Sequence, residues 1–331
     1  MIKRFLKPII FLTVVLIVTA ILSIALNKKS DNIKETEKGE VSVSVDKNDD
    51  RFCLLVMGRD KVSGLADVIM LISFDLKANS VCVLQIPRDT YSEYENSDYR
   101  KINGILRALG EEGACSFFEQ SLGIEIEGFV SIDLEGFRAM VDAMGGVEMN
   151  VPQDLKYTDK SQGLYIDLKA GEQTLNGSQA EMLVRYRSGY TRGDLDRLDM
   201  QKRFLAALFL SLKKNITPFN IYSVANSALP HLKTNLSLNK MFSLATKVIT
   251  LKEENICFAT VCGEDARSEV SGASFYVISA YGVSELLTRY FDQNGNGFDS
   301  EGRFLHPSLD SFKKIYAKKD ANELFFINDL K

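Results

Sequence analysis

Residues 52–89 read FCLLVMGRDKVSGLADVIMLISFDLKANSVCVLQIPRD, and this stretch decides the fold. Cys53–Met57 is a short apolar run that ends in Gly58-Arg59-Asp60. Val68–Phe74 and Val81–Ile86 are two further runs, separated by the Asp75–Ser80 turn, and the second ends in Pro87-Arg88-Asp89. Short apolar runs bounded by turn formers predict buried strands. Two of these strands deliver a polar loop at their ends, where an α/β sheet builds its site.

Helical patterns follow. Glu111–Leu122 stops at Gly123. Asp133 is placed to cap Leu134–Met144, whose Phe137, Met140, Val141 and Met144 share a face and which stops at Gly145-Gly146. Asn176 is placed to cap Gly177–Val184. Asp194 is placed to cap a long helix to about Lys214, with Leu195, Leu198, Leu205, Leu208, Phe209 and Leu212 inward. Strands and helices interleave, so the predicted class is α/β with helices packed on a central sheet.

Upstream, residues 8–26 carry no charge, and these 19 positions span roughly 28 Å as a helix, close to a bilayer's hydrocarbon thickness. Lys3, Arg4 and Lys7 precede the run, so a retained signal anchor is expected, with residues 1–7 cytoplasmic and the rest of the chain outside. A cleaved signal peptide is the competing reading, and the length of the run favours the anchor. Residues 27–50 are half charged and lack aromatics, which suits a tether, although Val41–Val45 alternates as a short edge strand would.

Five of the 40 Lys and Arg lie in residues 1–29, leaving 35 against 44 Asp and Glu in the remainder. That balance excludes general nucleic-acid binding, which needs a dominant basic face. The 5 cysteines form no CxxC pair and only 2 histidines accompany them, so they read as buried small residues. Cys53 and Cys82 would meet only if their strands were neighbours.

Four polar clusters carry the chemistry: Gly58-Arg59-Asp60 with Asp67, Pro87-Arg88-Asp89, Lys101-Ile102-Asn103, and the basic stretch Arg185–Arg203. Asp60 and Asp67 converge if their strands are antiparallel neighbours. Two carboxylates without Cys or His suit a hard divalent ion such as Mg²⁺; turn residues capping their strands are the other reading. Arg88, Arg185, Arg187 and Arg197, with Gln201 one turn beyond Arg197, suit a planar anion such as phosphate. Arg192 and Arg203 read instead as a solvated face paired with Asp194, Asp196 and Asp199.

The order GRD, an aspartate before VIMLISF, IPRDTY, KIN, a helix before GGVEMNVP, LNGSQAEMLVRYR and GDLDRLDMQ resembles the LytR–CpsA–Psr family from about Phe52 to Phe291. The resemblance implies a three-layer α/β/α domain over residues 51–291, with a mixed sheet between helices, holding a polyprenyl-pyrophosphate-linked glycan donor. It implies Mg²⁺, or Mn²⁺ in its place, on Asp60 and Asp67. It assigns pyrophosphate binding to Arg88, Arg185, Arg187 and Arg197 and puts Lys101 and Asn103 near the site. Two departures stand out. The family's basic residue before its aspartate-containing strand is Leu65 or Ala66 here, and its arginine before Gln201 is Met200. An arginine restored at Met200 is therefore expected to strengthen pyrophosphate binding.

The activity so implied is transfer of a glycopolymer (teichoic acid, capsular or other wall polysaccharide) from the lipid carrier to a peptidoglycan hydroxyl at the membrane. Arg88, Arg197 and Asp89 are the catalytic candidates, Asp89 as the base. A non-catalytic polyprenyl-phosphate sensor and a lipid pyrophosphate hydrolase are the alternatives. Residues 292–331 depart from the family. Asp292, Asn294, Asn296 and Gly297 copy the start of a calcium loop, but position twelve is Arg303 rather than Glu, so a turn is expected.

Overall fold

The apolar runs form the centre of a mixed sheet with helices on both faces. A computed structural model describes residues 51–92, 101–160, 163–190, 194–215, 221–237, 240, 244, 251–267, 272–291 and 324–326. The expected span 8–26, the tether, Arg192 and the calcium-like turn lie outside these residues, as does the Leu195 side chain.

The chain runs β1 (Arg51–Arg59), β2 (Ala66–Asp75), β3 (Ser80–Ile86), α1 (Ile105–Leu122), β4 (Gly128–Asp133), α2 (Leu134–Ala143) and β5 (Val147–Val151). It continues through β6 (Leu155–Asp159), β7 (Leu164–Leu168), β8 (Gly171–Leu175), α3 (Gly177–Arg185), α4 (Asp194–Asn215), α5 (Ile221–Ala228) and β9 (Leu232–Thr234). Then come β10 (Ile256–Thr260), β11 (Gly263–Arg267), β12 (Ser274–Ile278), α6 (Ala280–Tyr290) and β13 (Leu324–Phe326). The main sheet has the order β13-β10-β3-β2-β1-β4-β9, and β11-β12, β5-β8 and β6-β7 form small antiparallel pairs. β1 is antiparallel to β2 and parallel to β4, while β3 is antiparallel to β2 and parallel to β10.

Strand side chains alternate between faces, and the core divides accordingly. Leu54, Val56, Met70, Ile72, Val81 and Val83 pack with α2, α3 and α4. Leu55, Met57, Ile69, Leu71, Cys82 and Leu84 pack with α1 and α6. The three-layer α/β/α expectation therefore holds for the described residues.

Two of the three predicted caps are present, and Asp194 is instead the first residue of α4. Asp133 accepts from Gly136 N, and Asn176 with Gln179 forms a capping box. The helix expected from Glu111 begins earlier, at Ile105, because Gly110 adopts φ 70° and joins two helical pieces across a kink. Ser73 stands between Cys53 and Cys82 in the sheet, so those cysteines do not meet. The neighbour of Cys82 is Cys257, and all five thiols are free. β13 pairs with β10, which makes part of the tail an edge strand.

Candidate active site

The β1–β2 hairpin carries Asp60 and Asp67. Gly58 pairs with Val68 and Arg59 with Ala66, so Asp67 is the extra residue of a bulge. A Cβ on Gly58 would lie 3.0 Å from Val68 Cβ, so a larger residue there would have to push Val68 aside. The re-aimed Asp67 carboxylate accepts from Arg88 Nη1. Asp60 does turn work with one oxygen: its Oδ1 accepts from Val62 N (2.7 Å) and Ser63 N (3.0 Å). The hairpin is antiparallel, as convergence of the two carboxylates requires.

Backbone hydrogen bonds fix the second and third clusters. Tyr276 N donates to Asp89 O (2.9 Å), and Tyr91 N to Tyr276 O (2.8 Å), which docks the IPRDTY loop on β12. Ile102 N donates to Thr90 O (2.9 Å) and Asn103 N to Arg88 O (3.2 Å), which lays KIN beside it. Lys101 Nζ thereby reaches 2.9 Å from Asp89 Oδ1, with Arg88 Nε 4.0 Å from Asp89 Oδ2.

Burial would raise the Asp89 pKa, but the Lys101 hydrogen bond and the charges of Arg88, Lys101 and Arg187 reverse this and hold it below the ordinary carboxylate value. Asp89 is thus an anion at neutral pH and a weak base, and Arg187 is among the charges that act on it. A carboxyl depressed in the folded state stabilises above its unfolded pKa, and that contribution is lost as pH falls through the folded value. Asp89→Asn is expected to cost about 1.5 kcal/mol at pH 7. It should also flatten the fall in stability below about pH 4, read as denaturant midpoints at pH 7, 4 and 3.

The basic stretch divides. Arg187 is exposed, whereas Arg197 is only 4% exposed. Arg185 Nη1 bonds Glu181 Oε1 (2.8 Å), and Glu181 also takes Arg138 (2.6 Å). Arg203 is partly buried rather than on a solvated face. Gln201 Nε2 donates to Val184 O (3.1 Å) and its Oε1 accepts from Gln85 Nε2 (2.9 Å). Met200, expected at the anion's rim, is 5% exposed and belongs to the apolar core with Phe204 and Leu205. Its position on the helix surface turns it inward among apolar groups, so that expectation is corrected. Gln85 and Glu181 were not singled out from the sequence. Gln85's signal was an amide in an otherwise apolar strand.

Between the sheet and helices α2 and α3 lies an apolar cavity of about 70 Å³, walled by Val56, Val68, Met70, Ile132, Phe137 and Val184. Arg59, Asp67 and Asp133 are its polar lining. Asp133, Glu135 and His231 offer donor atoms within 4.8 Å of one another. Lys61 Nζ (3.0 Å) and Arg59 Nη2 (3.4 Å) already sit on Asp133, so this cluster has its counter-charge. Asp67 likewise has Arg88 as its counter-charge and Asp60 has two turn amides, but each keeps one carboxylate oxygen that no donor among the described residues takes. Hard carboxylate oxygens of this kind are donors that a divalent cation keeping several waters would use.

An α/β/α sandwich with an ion-ringed apolar slot, carrying the motif order above, defines the class. The chain belongs to the LytR_cpsA_psr family, whose family model matches residues 16–291. Among its relatives, the polyisoprenyl-teichoic acid–peptidoglycan teichoic acid transferase TagU of Bacillus subtilis (strain 168) is 30% identical over 221 residues, covering 65% of this chain and 69% of that protein. Regulatory protein MsrR of Staphylococcus aureus (strain COL) is 25% identical over 240 residues, covering 70% and 72%. The crystal structure of B. subtilis TagV matches with a TM-score of 0.63 at 25% identity, over 74% of this chain and 98% of that one.

Proposed function

We propose that this chain transfers a glycopolymer from a polyprenyl-pyrophosphate carrier to a peptidoglycan hydroxyl. The observation that carries the reading is an apolar slot lined at one side by Asp67, itself bonded to Arg88, with Asp89, Lys101 and Arg187 beyond. A lipid pyrophosphate has the same polarity: hydrocarbon at one end and a compact polyanion at the other. The slot takes the head-proximal end of the tail, and a longer chain requires α2 and α3 to move apart. The names of TagU and its relatives support the transferase reading.

In the proposed reaction the acceptor hydroxyl attacks the sugar-side phosphorus. A new P–O bond forms, the bond to the bridging oxygen breaks, polyprenyl phosphate leaves with its electron pair, and the hydroxyl's proton passes to that leaving phosphate or to water. Arg88 binds and orients the pyrophosphate, and its guanidinium meets charge that grows on the transferring oxygens. Arg187 and Lys101 add positive charge at the same rim, and Arg197 backs it from α4. Asp89, ionised and tied to Lys101, orients these cations better than it removes the acceptor's proton. Mg²⁺ held by Asp60 and Asp67 would supply further charge neutralisation when bound.

Arg88→Lys tests the reading. A lysine keeps the charge and loses the planar fork, so it is expected to be as damaging as Arg88→Ala, about ten- to a hundredfold in transfer, or about 1.5–3 kcal/mol. Products of a lipid-pyrophosphate sugar, peptidoglycan oligomers and Mg²⁺ are followed by mass. Near-normal transfer by the lysine variant would return Arg88 to a structural role, and sugar phosphate as sole product would make the protein a hydrolase.

We propose further that residues 8–26 anchor the chain with its N-terminus inside. Cysteine placed at Ser44 should react with an impermeant maleimide on intact cells, given that the native cysteines are buried or half-buried. Protection of that site would reverse the topology.

A further inference from the structure

β3 is apolar from Val81 to Ile86 except at Gln85. Strand alternation sets Gln85 with Val81 and Val83, on the face covered by α3 and α4. There it is 1% exposed, its Nε2 2.9 Å from Gln201 Oε1, while Gln201 Nε2 reaches Val184 O at 3.1 Å. Two buried amides thus join three elements. Two of them carry arginines of the proposed site close by: Arg88 is three residues beyond Gln85, and Arg197 is one turn before Gln201.

Buried amides are a poor choice for stability alone, because two apolar side chains of like shape would serve about as well. They add direction. Dispersion contacts are non-directional, whereas a hydrogen bond between amides fixes distance and orientation together. Several guanidinium groups that must meet one pyrophosphate need that constraint, since their donors act together only at matched spacing.

We propose that Gln85 is a positioning residue that sets the spacing of Arg88 and Arg197, acting through Gln201. The inference rests on the proposed function and names a determinant within the same site. It makes no contact with substrate itself.

The test measures binding of a short prenyl pyrophosphate with Mg²⁺, and of the matching prenyl alcohol, to the full chain in detergent. The ratio of the two affinities isolates the pyrophosphate. Gln85→Met is expected to lower that preference about tenfold, Gln201→Met to do the same, and the double variant to lose no more than either. The double variant leaves no amide of the pair alone, though Val184 O loses its donor as it does in Gln201→Met, so its ratio decides where a single variant fails to fold. Equal weakening of both ligands would mark a merely structural role and overturn the proposal, as would an unchanged ratio or additive losses. A wild-type chain with no preference for pyrophosphate over alcohol would remove the proposed function and this inference together. A wild-type preference that survives in Gln85→Met would remove the inference alone.

Discussion

Asp67→Asn is expected to lower transfer at least about a hundredfold, on the order of 3 kcal/mol, and to leave the residual rate insensitive to Mg²⁺. The substitution changes charge with little change in shape. Asparagine still offers an oxygen to Arg88 Nη1, so the bulge between Ala66 and Val68 keeps its packing. What it removes is a half-exposed carboxylate, 42% accessible and facing the cavity. Asp60→Asn is the matched comparison, because an asparagine Oδ1 accepts the same Val62 and Ser63 amides. A metal shared by both carboxylates requires both variants to lose Mg²⁺ dependence while melting near wild type. Full activity of Asp67→Asn at low Mg²⁺ would sink the metal assignment.

Met200→Arg is expected to destabilise the domain by about 3–5 kcal/mol, roughly a 10 °C fall in melting temperature. The Met200 side chain lies in the core cluster that contains Val184, Phe204 and Leu205. A guanidinium there loses its hydration, and Arg197, one turn back, is a cation that repels it. Motif comparison alone argues the reverse, that the arginine would tighten pyrophosphate binding. Melting temperature and prenyl pyrophosphate affinity measured on one preparation separate the two. Tighter binding with an unchanged melting temperature would restore the motif-based view.

That contrast shows where the sequence is legible. β1, β2 and β3 are readable because all three are buried on both faces, so their apolar runs are nearly continuous. The caps at Asp133 and Asn176 are readable because capping is local chemistry. β6 is not: Leu155 is buried, but Lys156, Tyr157 and Thr158 are exposed, and a short polar strand resembles a loop. Nor does any local signal place β10 beside β3 across most of the chain's length. The site follows the same division. Arg88, Asp89 and Lys101 announce themselves as polar loops on apolar strands. The Gln85–Gln201 pair is invisible until α4 lies on β3, and Met200 turns on which way a helix is rotated, which residue spacing leaves open to within a few tens of degrees.

β13 has a practical bearing on how this protein is handled. The family match stops at Phe291, yet Leu324–Phe326 forms the outer rail of the main sheet against Cys257, Phe258 and Ala259. Expression trimmed to the family boundary would retain every candidate catalytic side chain and strip that rail away. The strand left bare, ICFAT, is apolar, uncharged and free of proline, which favours pairing with its copy in another molecule. Precipitation of a shortened protein would then report an uncovered sheet edge rather than an unstable catalytic core.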